Sequence, residues 1–438
     1  MTQQLAVPSP NQTPAEPART RLPSADAYRG SMYDFVRTVL EEIGPRESCS
    51  ESERRLGQRL AQRWRELGLD VRTETFTCHP KAFLGFIPIS TFLYLLATIT
   101  YWIWPLVCFV FAAASFALIW FELLRYREFI DPLFRAAQGE NVIGVLKPSG
   151  ETKRRVIVSA HQDSAYEFNL WYFLKGAAVP VMILGFGAAL VPLFGGLLKS
   201  LMGAGNDSFA FNVVGFTAIA LYPIVGLNFF FHTYSVVPGA MDDLAGISVV
   251  DAVTRALSDA RREGGALEST EIVVLALAAE EAGLRGAKRF AERHRDELHA
   301  IPTYVLNVDG VYDERYLTVI HRELTTGARH DPRLVRLARE RAAARGYTCQ
   351  QHMIPLGASD GTAFAHAGVP SVTLLCQDAT RLVPNYHTRL DTLDWVRPES
   401  LQVMLQLVLD MIEQIDRGVC ERGETRAVEA PQPAGQAA

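Results

Sequence analysis

Residues 82–121 run for 40 positions without a single charged side chain (AFLGFIPISTFLYLLATITYWIWPLVCFVFAAASFALIWF). A bilayer span needs ~20 apolar residues, so this stretch suits two spans that turn near Trp104-Pro105. Two further charge-free stretches follow. Residues 176–198, between Lys175 and Lys199, give 23 positions, and residues 208–231, between Asp207 and His232, give 24. Their length and their glycine and aromatic content fit spans better than buried core helices. The expectation is four spans in two helical hairpins, over 82–125 and 170–232. Each hairpin returns the chain to its starting side, so a single soluble domain can assemble from the remaining pieces.

Basic residues set the orientation. Arg72, Lys81, Arg125, Arg127, Arg135 and Lys175 lie on the tail side of the spans, and the hairpin tips carry only Lys199. By the positive-inside rule the soluble part is expected in the cytoplasm. The spans also explain an otherwise ordinary composition. The 438 residues are 49% hydrophobic and 21% charged. Those averages merge an uncharged membrane portion with a normally charged soluble one. The balance of 43 Lys+Arg against 48 Asp+Glu, a net charge of −5, argues against a nucleic-acid partner. The six cysteines are scattered and form neither a disulfide framework nor a zinc ribbon, so reduced thiols are expected.

Outside the spans the pattern is α/β. Segments 28–44 and 51–67 read as amphipathic helices. Short apolar runs (VRTETF, NVIGVL, RVIVSA, EIVVLALA, TYVLNV, YLTVI, SVTLL) then alternate with helical stretches at about 243–258, 282–297, 331–345 and 398–416. This alternation predicts a mixed sheet covered by helices on both faces. Residues 1–25 and 418–438 are rich in Pro, Gln and Ala and read as disordered tails, with no apolar core of a secretory signal. The soluble domain is then discontinuous, over 26–81, 126–169 and 233–417. No internal repeat and no glycine-rich phosphate loop is present.

Polar residues at strand ends are where an α/β sheet builds its sites. RVIVSA ends in His161-Gln162-Asp163. In an extended chain a residue two positions on shares a side, so Asp163 can orient the imidazole. Asp242-Asp243 precede a helix, where one acid suffices as a cap. EIVVLALA runs into Glu280-Glu281, and carboxylates after a continuous apolar strand are costly unless paired or metal-bound. TYVLNV ends in Asp309, and His387 lies in a loop before the last helix. Together these supply His, Asp and Glu donors without cysteine, a set suited to catalytic rather than structural zinc.

The combination resembles the two-zinc exopeptidases of the aminopeptidase Y and bacterial leucyl aminopeptidase type. Glutamate carboxypeptidases and glutaminyl cyclases are relatives of that group. The resemblance covers about residues 28–81, 140–165 and 236–416, in the family's order. It implies a three-layer α/β/α sandwich with a mixed sheet. It also implies two Zn²⁺ ions per chain, with His161 (SAHQDS), Asp242 (GAMDDLAG), Glu281 (AAEEAGLRG), Asp309 (LNVDG) and His387 (NYHTRLDTLD) as metal ligands. Asp242 would bridge the ions, Asp163 would orient His161, and Glu280 would act as general base on a metal-bridged water. The implied activity is removal of N-terminal residues from peptides. The alternatives are a carboxypeptidase or glutaminyl-cyclase-like enzyme on the same fold, or a non-catalytic membrane receptor or scaffold. Cyclases of this group work with one zinc, and a receptor need not keep base and ligands, whereas this chain keeps all of them.

Two departures from the family stand out. Secreted bacterial members carry an oxyanion-stabilising tyrosine near a Ser-Asp pair. In LGASDGTAFAHAGVPSVTL that place holds Leu356, and Gly361 replaces the histidine often seen after Asp360. The other departure is the pair of hairpins. Asp163 lies 13 residues before the second hairpin's apolar stretch and Asp242 lies 11 residues after it. At a maximum of ~3.6 Å per residue, both loops are held within roughly 40–47 Å of the membrane. The site is therefore expected close to the bilayer, with access to membrane-associated peptides.

Overall fold

A computed structural model describes residues 22–203, 205–265 and 267–421. Its centre is one eight-stranded sheet. The strands are β1 (Asp70–Cys78), β2 (Ala137–Leu146), β3 (Arg154–His161), β4 (Thr270–Leu277), β5 (Thr303–Val311), β6 (Leu317–Glu323), β7 (Gln350–Ile354) and β8 (Ser371–Cys376), in the order β1-β2-β4-β3-β5-β8-β6-β7. The central strands β4, β3, β5 and β8 are parallel, while β1-β2, β2-β4 and β8-β6 pair antiparallel. This is the mixed sheet expected from the alternating pattern. β3 and β4 are buried along their whole length, as their unbroken Val/Ile/Leu runs require of strands covered on both faces.

Helices Arg29–Glu42, Glu51–Glu66, Ala245–Arg262 and Pro398–Asp416 contribute to the largest apolar core, and Arg285–Arg293 and Gly361–His366 to a second one. Two elements were not legible in the sequence. Edge strand β7 (QQHMI) is polar and only half-buried, and the six-residue helix Gly361–His366 is too short to show a period. The expected tails at 1–25 and 418–438 fall mostly outside the described residues. Where described, Leu22 and Cys420 are buried, and the Leu22 N–H donates to Glu413 Oε1 at 2.8 Å. All six cysteines are free thiols.

Four helical runs are long and apolar enough to cross a membrane: Ala82–Thr100, Pro105–Leu124, Asn169–Met202 and Phe209–Phe230. The third and fourth are segmented rather than continuous. One breaks between Gly187 and Leu190, the other at Leu221. The cause is proline. Pro192 and Pro223 donate no hydrogen bond, and their rings crowd the carbonyls of Ala188 and Ile219 four residues back. The runs hold together through polar groups at close approaches. Tyr94 Oη donates to Ala218 O at 2.7 Å, Tyr101 Oη to Phe211 O at 3.0 Å, and Trp102 Nε1 to Asn212 Oδ1 at 3.0 Å. Lys199, the one basic residue at the tips, is fully buried and donates to Asp207 Oδ1 at 2.6 Å. The outward faces are apolar: Ile103, Leu106, Leu201 and Phe209 are all more than 60% exposed.

The hairpins are bound to the sheet-bearing body at their roots. Arg285, 1% exposed, forks onto Asp131 with Nη1–Oδ2 at 2.7 Å and Nη2–Oδ1 at 2.9 Å, and Nη1 reaches Glu128 Oε2 at 2.9 Å. Asp131 and Glu128 lie on the stretch that leaves the first hairpin. The second hairpin is anchored where it begins, by the Phe168 N–H donating to His387 O at 2.8 Å.

Candidate active site

Three adjacent parallel strands deliver their carboxyl ends to one place, as a doubly covered sheet does. β3 ends in His161, β4 runs on to Glu280 and Glu281, and β5 carries Asp309. A register shift between Val308 and Val311 disrupts the β5–β8 ladder at Asp309, the kind of bulge that re-aims a side chain. The turn bearing Glu280-Glu281 is tightly wound, with Ala279 and Leu284 both at positive φ (56° and 61°). Such conformations cost about 1–3 kcal/mol each and persist where the surroundings over-determine them. Here the carboxylate of Asp163 fixes the turn, accepting the N–H of Glu280 on Oδ1 and of Glu281 on Oδ2, both at 3.1 Å. Ser48 Oγ completes its shell at 2.6 Å.

Asp242 stands between two imidazoles. Its Oδ1 is 3.0 Å from His161 Nε2, and its Oδ2 is 3.2 Å from His387 Nε2. The peptide between Asp242 and Asp243 is cis. Asp391 accepts the N–H of Met241 at 2.8 Å and of Asp242 at 3.2 Å, which fixes the turn from below. Asp243 points away from the cluster and accepts from the N–H of His161 (3.3 Å) and of Gly246 (3.1 Å), so it braces the turn. Arg46, fully buried, donates to four carbonyl oxygens, those of Gly44, Gln162, Pro238 and Gly239, and ties the two ligand loops together. His161 Nδ1 lies 3.3 Å from Asp163 Oδ1, near enough for charge stabilisation but off the line of a hydrogen bond.

The donor atoms fall into overlapping triads. His161, Asp242 and Asp309 form one, and Asp242, Glu281 and His387 another, with the donor atoms of each within 4.8 Å of one another. Glu280 also meets His161 and Glu281 within that limit. All seven residues singled out in the sequence are thus gathered in one place. The electrostatics are those of a cluster short of positive charge. Burial pushes Glu280 well above the usual carboxylate range, opposed by His161 and reinforced by Glu281. Burial likewise lifts Asp309 to about 7, with Asp242 adding to it. His387 rises to about 10: burial opposes its charge, but Glu281 and Asp242 outweigh it. Glu281 Oε1 and His387 Nδ1 are buried without a hydrogen-bond partner.

Residues 223–412 match the profile of Peptidase family M28. Over that stretch the chain is similar to M28 peptidases. The matched stretch holds Asp242, Glu280, Glu281, Asp309 and His387, while His161 and Asp163 reach the cluster from outside it. The fold agrees. A zinc aminopeptidase from Bacillus subtilis superposes with a TM-score of 0.54 at 18% identity, covering 90% of this chain and 96% of its own. An aminopeptidase from Aneurinibacillus sp. strain AM-1 gives 0.52 at 14%, covering 88% and 93%. A glutaminyl cyclase from Bacteroides thetaiotaomicron gives 0.52 at 13%, covering 90% and 99%. No curated protein matches the sequence. The M28 match supports a metallopeptidase, and that family implies zinc. The donors present fit that metal: imidazole and carboxylate in groups of three, with Glu281 Oε1 buried and satisfied by no hydrogen bond.

The cluster opens into a partly enclosed cavity of about 930 Å³, mouth included. Its other wall is apolar and comes largely from the hairpins: Phe83, Leu84 and Ile87 from the first run, Met182 and Phe186 from the third, and Phe231 after the fourth. Leu356 lines the cavity too, as does Tyr126. Sequence reading assigned no role to Tyr126, Arg46, Ser48 or Asp391. Asp391 alone had a signal, as the first acid of the NYHTRLDTLD segment.

Proposed function

We propose that the protein is a membrane-integral zinc aminopeptidase that removes N-terminal residues from peptides at the bilayer surface. Two Zn²⁺ ions are assigned, one to His161, Asp242 and Asp309 and the other to Asp242, Glu281 and His387. The observation that carries the reading is the pair of triads sharing Asp242, with Glu280 beside them at the mouth of one cavity. Bound zinc supplies Lewis-acid polarisation and acidifies water. Glu280 takes the proton of the attacking water and delivers it to the departing amine, a task for which a raised carboxylate pKa is suited. Asp163 holds both the glutamate turn and the imidazole of His161 in place. The apolar far wall favours a large apolar N-terminal residue. The four apolar runs support membrane insertion, and the distribution of basic residues supports a cytoplasmic peptidase domain.

The test is a panel of peptides blocked at one end or the other, given to the purified full chain in detergent with zinc. Release of the first residue from peptides with a free amino group, and none from N-acetylated ones, is the expected result. Trimming of N-acetylated peptides from the carboxyl end, or ring closure of an N-terminal glutamine without hydrolysis, replaces the reading by a carboxypeptidase or a cyclase. No turnover of any peptide replaces it by a scaffold.

A further inference from the structure

Tyr126 follows the first hairpin by two residues and is held in an unusual posture. Its φ is +51°, a conformation that bulky residues adopt only under constraint. The constraints are visible. The ammonium of Lys288 donates to its carbonyl oxygen and to Gly283 O. Its ring packs on Phe83 at 4.8 Å between centroids. The adjoining stretch is clamped through Glu128 and Asp131 to Arg285 and Arg289. The effect is to turn the phenol inward, so that it lines the same cavity as His161, Asp242, Glu280, Glu281 and His387. Leu356, Gly357 and Ala358 line the same cavity, so the phenol shares it with the segment where the chain has no tyrosine of its own.

An ordinary phenol titrates near pH 10, so it carries its proton at neutral pH and can donate it in a hydrogen bond. A fixed neutral donor in a partly enclosed metal site has one evident use in peptide hydrolysis. When water attacks the peptide carbonyl, the C–O bond forms and the carbonyl electron pair moves onto oxygen. Preorganised donors aimed at that developing charge stabilise it. We propose that Tyr126, delivered by the membrane hairpin, is a catalytic residue that donates a hydrogen bond to the oxyanion of the tetrahedral state. Glu280 receives the water's proton and passes it to the amine as the C–N bond breaks. Tyr126 keeps its own proton throughout. The active site is then incomplete without the first hairpin seated on the peptidase body.

The inference rests on peptide hydrolysis at this site, and the test uses whichever peptide the unaltered protein cleaves best. It compares the full chain with Tyr126→Phe, which keeps the ring and its packing on Phe83. The expected result is a kcat lower by ~10²–10³-fold, with KM within a few-fold and zinc content unchanged. Affinity for a phosphinic peptide that mimics the tetrahedral state falls in parallel, while affinity for the free amino-acid product holds. A kcat within twofold of the unaltered protein overturns the proposal. So does a kcat loss accompanied by lost zinc or by equal weakening of product and phosphinic peptide, because the tyrosine is then only structural. Inactivity of the unaltered protein on every peptide instead removes the aminopeptidase reading.

Discussion

Oδ1 of Asp242 lies 3.0 Å from Nε2 of His161, and that contact ties the end of β3 to the chain emerging from the second hairpin. The other oxygen of Asp242 faces His387. One carboxylate thus joins both ligand triads. Asp242→Asn removes the charge and turns one ligand atom into an amide nitrogen. Zinc content of the purified protein is expected to drop from about two ions per chain to one or none. Elemental analysis reads this directly, and undiminished zinc in the variant would remove Asp242 as a shared ligand.

Glu280 is expected to separate from the ligands in its behaviour. Glu280→Gln keeps the shape of the side chain and loses the proton acceptor. Peptide hydrolysis should fall by ~10²–10⁴-fold with zinc retained. Side-by-side measurement of turnover and metal content distinguishes it from Glu281→Gln, which is expected to lose metal as well.

The clustered residues were legible because they sit where strong strand signals stop. Val/Ile/Leu runs end abruptly at His161, Glu280 and Asp309, and no short-range rule makes an apolar strand end in an unpaired acid. The hairpins were equally plain, since forty uncharged positions leave few other readings. What the sequence hid depends on long-range return. Arg46 meets Pro238 and Gly239 across 192 and 193 positions, and no local pattern announces a buried guanidinium. Tyr126 lies at a seam between two regions and gains its place only when Arg285 and Lys288, far along the chain, bind the adjoining stretch. The segmented third and fourth runs follow from prolines, yet which proline breaks a helix depends on whether neighbouring helices satisfy the freed carbonyls.

Crowded acids make the metal-free protein sensitive to pH. The raised pKa values of Asp309 (about 7) and Asp391 (about 8) mean that the folded chain binds more protons than the unfolded one from about pH 4 upward. His387, raised to about 10, extends the same sign through higher pH, because its stabilising charge is lost as pH climbs from about 6.5. Stability of the chelator-treated protein is therefore expected to decline steadily between pH 5 and pH 9. Zinc binds the deprotonated ligands, so its stabilising effect grows across the same range. Thermal midpoints in detergent, with chelator and with zinc, check both slopes. A metal-free midpoint that rises from pH 5 to pH 9 would contradict the crowding argument.

Arg285 is expected to govern the union of hairpin and body. Removing one partner of a buried ion pair leaves the other charge uncompensated, which costs about 3–5 kcal/mol. Arg285→Ala leaves Asp131, 7% exposed, with His79 at 3.2 Å as its remaining side-chain partner, and loosens the stretch that carries Tyr126. The variant should melt several degrees lower and lose turnover, with zinc content less affected than turnover. Limited proteolysis would show new cleavage near residues 125–135, and unchanged protection there would count against the clamp.

The apolar wall should set which first residue is taken. Phe186, in the apolar helix Ala178–Gly187, lines the same cavity as the candidate ligand cluster. Phe186→Leu keeps the surroundings apolar while shortening the wall by the volume of about one ring edge. Pocket contacts of one or two methylene equivalents are worth ~10–200-fold in selectivity. The ratio of kcat/KM for a peptide beginning with alanine to one beginning with leucine is expected to change by about tenfold. Melting behaviour should stay close to that of the unaltered protein, because the exchange conserves burial. A ratio that does not move would place the first residue's side chain against another wall. The apolar runs would then enclose the site without reading the substrate.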